Sequence, residues 1–579
     1  MLSAAPESTP AAPDVSYVLH VTLSPEQHTL EGSGRVRWRN TSSRPAGEVR
    51  FSLYYNRRGA APSAASIEVT SLRVVSSNRD LLGTATFAGP DQRPDEDRTL
   101  LRVPLGEPLL PGGEVSFDVR WVARVPDDAG IGGVVLLAHW FPQVAGAGDA
   151  GAYDVTIGVP RGWKVAATGH ETASAGGAAS EAHRFVQEQA RDFAWAASRD
   201  WIEQRTRVER TGLPPVDVRV LARPEHARQL ARMTAATALA VQRGRESLAT
   251  YPYADLTVLD VPWTSVHANA AYPGLVTIAT HWLEPARSTD LESAVAGVIA
   301  QHFWRQAVGF DPSAPQSMSD GLAVFTAARL GQIVVQHQLD STSGDGFLVH
   351  RFFGGFLPYV NRSIRFDHAA ALASADGTRA ALALATLERY LGWPTLEMVL
   401  DEFGGRFRLA HPSPDDFLQV ASVVSGRDLR WLFDGAWRDG LVYDYGVGQV
   451  TSETAPDGES QRTTIVVRRF GEGTFSGSSR PRTGGYESGR AIEVEVGFAD
   501  GTIRREHWDG RDRSTSFVYE SVAPVDRVAV DPDHVLRLDT KQVNNTWART
   551  SRGPSAATRW AAHWLIWLQD LLLTCAALA

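Results

Sequence analysis

The chain reads as a multidomain α+β protein: an N-terminal antiparallel β-sandwich, a middle domain that is α/β and then mostly helical, a small C-terminal β-domain, and an amphipathic C-terminal helix. Three observations predict this order. Period-two alternation of apolar residues fills the first two hundred positions, helical spacing of Ala, Leu and Arg takes over from about Glu225, and strands return after Thr463. At 579 residues the chain is long enough for roughly two to four domains. The expected divisions are a disordered leader over 1–14, the sandwich over 15–205, the middle domain over 206–445, the β-domain over 446–540, and a linker with the tail helix over 541–579.

Composition narrows the function classes. Apolar residues make up 43% and charged residues 21%, the balance of a chain that buries a core and not of a disordered one. The formal charge is −9 without any block of Lys or Arg, so nucleic acid is not an expected partner. Cys575 is the one cysteine, which excludes an internal disulfide and Cys-based zinc ligation. Met1 to Asp14 is rich in Ala, Pro and Ser and lacks the basic start and apolar run of a signal peptide.

The sandwich is announced by Tyr17–Leu23, Arg35–Asn40 and Glu114–Val122, each alternating between Gly-, Pro- and Asn-rich turns. After Pro214-Pro215 a short strand, Val216–Leu221, leads into the helical run Glu225–Thr250. Strands resume at Leu256–Val261 and Tyr272–Ile278, and helices then dominate to about Trp437. In the C-terminal part the pair around Asp500-Gly501 signals a hairpin, because Gly tolerates the positive φ that a tight turn requires. The tail, Ala556–Ala579, is just long enough to span a bilayer. Its Arg559, His563, Asp570 and Thr574 recur at helical steps as one polar stripe, opposite Trp560, Trp564, Trp567, Leu568 and Leu571. A charged Asp disfavours a spanning helix, so an interfacial amphipathic helix anchored by Trp is expected.

In the middle domain, Thr289 and Glu292 form a capping box for a helix whose stripe is Leu291, Val295, Val298 and Ile299. It runs on as VIAQHFWRQ, and a second helix, SMSDGLA, follows from Ser317. The strand AYPGLV precedes both. This order resembles the gluzincin zinc aminopeptidases of the membrane alanyl aminopeptidase type, in which a strand carrying GGMEYPGL precedes a helix VIAHExxHQW and then one with NEGFA or SEGLA. The likeness extends to the HWFP stretch (His139–Pro142) and to the runs Ala381–Gly392, Phe407–Phe417 and Ser425–Asp434, and covers roughly residues 15 to 540. It implies a thermolysin-like, catalytic-type middle domain over 206–445.

The resemblance also says where the chemistry would sit. Zinc hydrolysis needs two His four residues apart on one helix face, a carboxylate from the next helix and an open position for water. Those places fall on Gln301, on His302 for the general base, on Arg305, and on the carboxylate of Asp320, spaced more closely than in the family. The carboxylate that grips a substrate amine falls on Ala271, and the Tyr that steadies the transition state falls on Gly377. No catalytic residue and no metal ligand is therefore expected, and Arg305 is expected either to pair with Asp320, with Gln301 adding a hydrogen bond, or to reach solvent in the open cleft. What remains is a cleft lined by Tyr272, Pro273, Gly274, Leu275, His302, Arg305 and Asp320.

The reading is a catalytically inactive, aminopeptidase-like pseudoenzyme without cofactor that binds a protein or peptide partner. By analogy with relatives linked to membrane transport components, it sits at a membrane surface through residues 556–579. The alternative is an active zinc aminopeptidase with displaced ligands such as His302, Asp320 and His267. Phe347–Tyr359, rich in aromatic residues, reads as core packing or a lid over the cleft.

Overall fold

The computed structural model describes residues 13–56, 65–87, 98–125, 133–146, 150–177, 179–210, 213–244, 251, 253–262, 265, 267–280, 290–309, 317–341, 377–456, 458–475, 492–550, 558, 561–562, 564–565 and 568–569. The leader up to residue 12, Phe347–Tyr359 and most of the tail lie outside the described residues.

The sandwich forms as its alternation dictates. In Val15–Ser24 every second residue is buried, and Tyr17, Leu19 and Val21 join Phe51, Phe117, Trp121, Trp140 and Phe141 in one core. The strand order in the larger sheet is His170–Gly176, Ser180–Ala190, Gly151–Pro160, Val15–Ser24, Thr29–Arg39, Glu114–Arg124, Ser66–Val74. A four-stranded sheet containing Ala46–Ser52 and Leu100–Leu109 and a three-stranded one of Lys164–Ala167, Trp195–Ser198 and Val134–Leu137 complete this part of the molecule. One pairing departs from the antiparallel expectation, since Val15–Ser24 runs parallel to Gly151–Pro160. These strands are separated by more than a hundred residues, and a long connection is what parallel pairing requires.

The middle domain is built on a mixed sheet ordered Ile202–Arg210, Leu213–Ala222, Asp255–Pro262, Leu275–Thr280, Ala271–Tyr272, of which the central three strands are parallel. Ile202–Arg210 crosses the expected division at 205/206 and pairs with Leu213–Ala222. The helix Ala227–Arg243 lies between two of these strands in the chain, and the helices Asp290–Gln301, Ser317–Ser341, Gly377–Leu391, Trp393–Arg406 and Pro414–Ser425 follow the sheet. Pro414–Ser425 starts at a capping box, in which Ser413 and Asp416 satisfy each other's backbone N–H groups. Arg191, from the end of the sandwich, donates to the carbonyls of Val308 and Ala410, both at 2.8 Å, and so ties the sandwich to two separate parts of the helical region.

The C-terminal β-domain has two sheets, one of Tyr445–Thr454, Gln461–Arg469 and Ser514–Ser521, the other of Ile503–Trp508, Ile492–Phe498, Val525–Val530 and Thr546–Ala548. The hairpin at Asp500-Gly501 is present, with Gly501 at φ 87°, and Asp500 accepts the N–H of Thr502. Thr546–Ala548 corrects the expected end of this domain at 540. Its backbone pairs with Val525–Val530, so the chain is still inside a sheet where a linker was expected.

Asp539 is the hub of this domain. Its carboxylate accepts the N–H groups of Lys541 and Tyr445 and the amide of Asn545, and burial pushes its pKa up to about 6 against an ordinary 3.8. A carboxyl whose folded pKa is raised adds stability below the unfolded value, and that contribution disappears as pH rises through the folded one. Chemical denaturation should therefore show this part of the stability present near pH 4 and gone by about pH 7. The difference between wild type and Asp539→Asn, followed by circular dichroism across that range, isolates it; a difference that does not change with pH counts against it.

Candidate functional site

The helix Asp290–Gln301 buries Leu291, Val295, Val298 and Ile299 as its stripe requires. From His302 to Val308 it widens into a π-turn and stops at Gly309, whose φ of 73° lets its N–H reach back to the carbonyl of Trp304. The wider winding sends successive side chains to three different neighbours. Trp304 turns into the core and donates its indole N–H to Thr326 at 2.8 Å. Arg305 faces the helix Ser317–Ser341 and bonds one oxygen of Asp320 through Nε at 3.2 Å and Nη2 at 2.6 Å. Gln306 reaches the edge strand and donates its carboxamide N–H to the Ala271 carbonyl at 2.9 Å.

His302 goes into the interior. It has no exposed surface, its Nε2 accepts the Gly274 N–H at 3.0 Å, and the rings of Tyr251 and Tyr253 lie 5.4 Å away. Accepting through Nε2 leaves the proton on Nδ1, which is buried without a hydrogen-bond partner. Burial holds the imidazole neutral, with its pKa pushed down to about 3. The strand that meets it is a small hairpin, Ala271-Tyr272 turning through Pro273-Gly274 into Leu275, with Gly274 at φ 67°. Tyr272 pairs with His267, hydroxyl to Nδ1 at 2.7 Å, and burial pushes that imidazole down to about 4.

No protein-family profile and no curated protein matches the chain. Solved structures do. Aminopeptidase A from Legionella pneumophila, determined with aspartic acid, aligns over 88% of this chain and 57% of its own with a TM-score of 0.59 and 13% identity. An M1 zinc metallopeptidase from Deinococcus radiodurans, determined as a point variant, aligns over 73% of this chain and 94% of its own with a TM-score of 0.50 and 16% identity. The chain has the M1 aminopeptidase fold. It spans a little over half the length of the Legionella protein.

The residues that the sequence resemblance assigns to the metal-binding positions do not fit zinc. Gln301 offers a neutral carboxamide, the acceptor nitrogen of His302 is already spent on Gly274, and Arg305 brings a cation that holds Asp320. Among the described residues no three of His, Cys, Asp and Glu converge as a metal site. Ala271, which the resemblance assigns to the amine anchor, has only a methyl group, and Gly377, assigned to the transition-state Tyr and first residue of its helix, carries no phenol. Pro273, Gly274, Leu275 and His302, expected on the cleft wall, are instead buried, Leu275 in a core cluster and His302 as the internal acceptor for the hairpin turn. Arg305 and Asp320 meet, and the Ser319 hydroxyl donates to the same Asp320 oxygen at 3.5 Å; Gln301 does not join the pair.

Sequence reasoning missed Gln306 as a partner of Ala271, since no residue pattern announced the π-turn that aims it there. The Arg305–Asp320 pair does not replace a metal as a clamp, because its side chains are 46% and 27% exposed and solvent screens them. The two helices are held by buried Phe303, Trp304, Met318, Leu322 and Phe325. Gly321 permits the close approach of a third helix, for a Cβ there would lie 2.3 Å from that of Ala380. Arg305→Ala and Asp320→Ala should each cost less than about 1 kcal/mol in urea denaturation. Trp304→Ala should cost about 3–5 kcal/mol. The reverse ranking would make the ion pair the clamp.

Proposed function

We propose that this protein is a catalytically inactive member of the aminopeptidase fold that works as a binding or assembly subunit at a membrane surface. One observation carries the first half: a guanidinium bonded to a carboxylate stands where the fold's metal ligands would meet. A zinc aminopeptidase needs a bound ion to lower the pKa of water and polarise the peptide carbonyl. Arg305 supplies neither function, and the neighbouring His302 has its acceptor nitrogen turned away into the interior. With Ala271 and Gly377 at the amine-anchor and oxyanion positions, no side chain there offers the charge or the donor that those steps use.

The tail supports the second half. Its described residues are helical, with Leu565 67% and Leu568 45% exposed, and the Trp-rich sequence around them is of the kind that settles at a lipid interface. Among the described residues no helix is long and apolar enough to cross a membrane. The charge of Asp570 in the apolar stretch disfavours a spanning tail, so the tail is read as lying on the surface.

Untagged protein purified with zinc in all buffers should contain substoichiometric metal and should not hydrolyse alanyl or leucyl p-nitroanilide above background. Stoichiometric zinc with turnover would instead establish an active aminopeptidase using displaced ligands. For the tail, the full chain should sediment with phosphatidylcholine vesicles and a chain ending at 550 should not. Equal recovery of the two would remove the membrane from the proposal.

A further inference from the structure

The stretch that leads from the β-domain into the tail differs in charge from the rest of the chain. From Thr540 to Gln569 there is no Asp or Glu, the longest such run in the sequence, and Lys541, Arg549, Arg552 and Arg559 stand within it. The chain as a whole carries −9, so a positive end is set against a negative body. A surface of negative charge would hold off the body and accept this end.

The structure shows that these charges are not spent internally. Elsewhere exposed arginines are met by carboxylates, as Arg102 by Glu48 at 2.7 Å and Arg184 by Asp154 at 2.6 Å. Lys541 and Arg549 are exposed, and among the described residues neither side chain has a carboxylate partner. Arg549 donates to the neutral carboxamide of Gln461 at 3.2 Å, and Lys541 reaches Asp539 only through its backbone N–H. Between them Val543 is 80% exposed, and the strand Thr546–Ala548 forms the end of its sheet, so cations and an apolar side chain stand together where the tail begins.

The tail repeats the combination. Ala561, Trp564, Leu565 and Leu568 are helical and exposed, and their spacing of three, one and three puts them on one face. The sequence places Arg559 on the opposite, polar stripe. An apolar face with Trp and Leu backed by a basic one is the pattern of helices that lie among lipid headgroups. A small anion would answer the cations and leave the apolar face in water. An acidic protein would need a groove shaped to that face, whereas an anionic bilayer meets both without one.

We propose that the tail and the base of the β-domain, Lys541 to Arg549, dock together on a bilayer rich in anionic phospholipid. The proposal rests on the membrane-surface reading and names the lipid class. The full chain should bind vesicles of phosphatidylcholine mixed with phosphatidylglycerol at least about tenfold more tightly than vesicles of phosphatidylcholine alone. Added sodium chloride should shrink that preference, because salt screens exposed charge. Lys541→Gln combined with Arg549→Gln should reduce it at least about fivefold at an unchanged melting temperature. Arg552→Gln with Arg559→Gln, beyond the last strand, repeats the test should the first pair alter folding.

Equal binding to the two kinds of vesicle, or a preference that both variant pairs retain, would overturn the proposal. So would binding to soluble polyglutamate as tight as to the anionic vesicles, which assigns the cations to an acidic polypeptide. Equal binding leaves the membrane reading standing and removes only the lipid class, whereas binding to neither vesicle removes both, so the two failures are told apart.

Discussion

A divalent cation and a guanidinium cannot share one coordination site. At about 4 Å in a half-solvated cleft their repulsion is on the order of 8 kcal/mol, twice that of two unit charges. Arg305 spends its charge on the carboxylate of Asp320, the one residue at these positions able to act as an anionic ligand. The pair and a metal at Asp320 therefore exclude each other. The remaining departures at the site, Ala271, Gly377 and the inward His302, carry no further charge to restore a metal's attraction.

Losing an ion that joins two helices would loosen a fold that depended on it. This one does not, and magnitudes say why. A half-exposed ion pair is worth at most about 1 kcal/mol, whereas deleting one large buried side chain costs about 3–5 kcal/mol. The work of holding the site is spread over buried contacts such as Trp304 on Thr326, and over polar hubs. At the ends of the parallel strands, fully buried Asp260 accepts from His226, Thr280 and Arg223. Burial alone would raise the pKa of that carboxyl, but these hydrogen bonds and the Arg223 charge outweigh it and hold the pKa below the ordinary range. Arg191 does the same for the junction with the sandwich by satisfying carbonyls at a helix end and in a loop.

How much of this was legible in the sequence follows from the range of each interaction. Strand alternation is local, so the burial of Val15–Ser24 and the Asp500-Gly501 hairpin could be read directly. The Arg305–Asp320 pair was legible because a cation on a cleft-facing helix demands a partner and only one carboxylate was near in the motif. The parallel partner of Val15–Ser24 lies more than a hundred residues away and leaves no local trace. The orientation of His302 was hidden for another reason. A helical wheel assumes a constant turn, and the π-winding from His302 to Val308 breaks that assumption at the residues where a one-position rotation decides between cleft and core.

That rotation has a consequence for recognition. An exposed strand edge attracts an extended chain because its carbonyls lack donors. In this cleft Gln306 already supplies the donor to Ala271, His267 engages the Tyr272 hydroxyl, and Arg305 engages Asp320. An incoming peptide would have to displace three internal hydrogen bonds before making its own, and exchanging like for like gains little free energy.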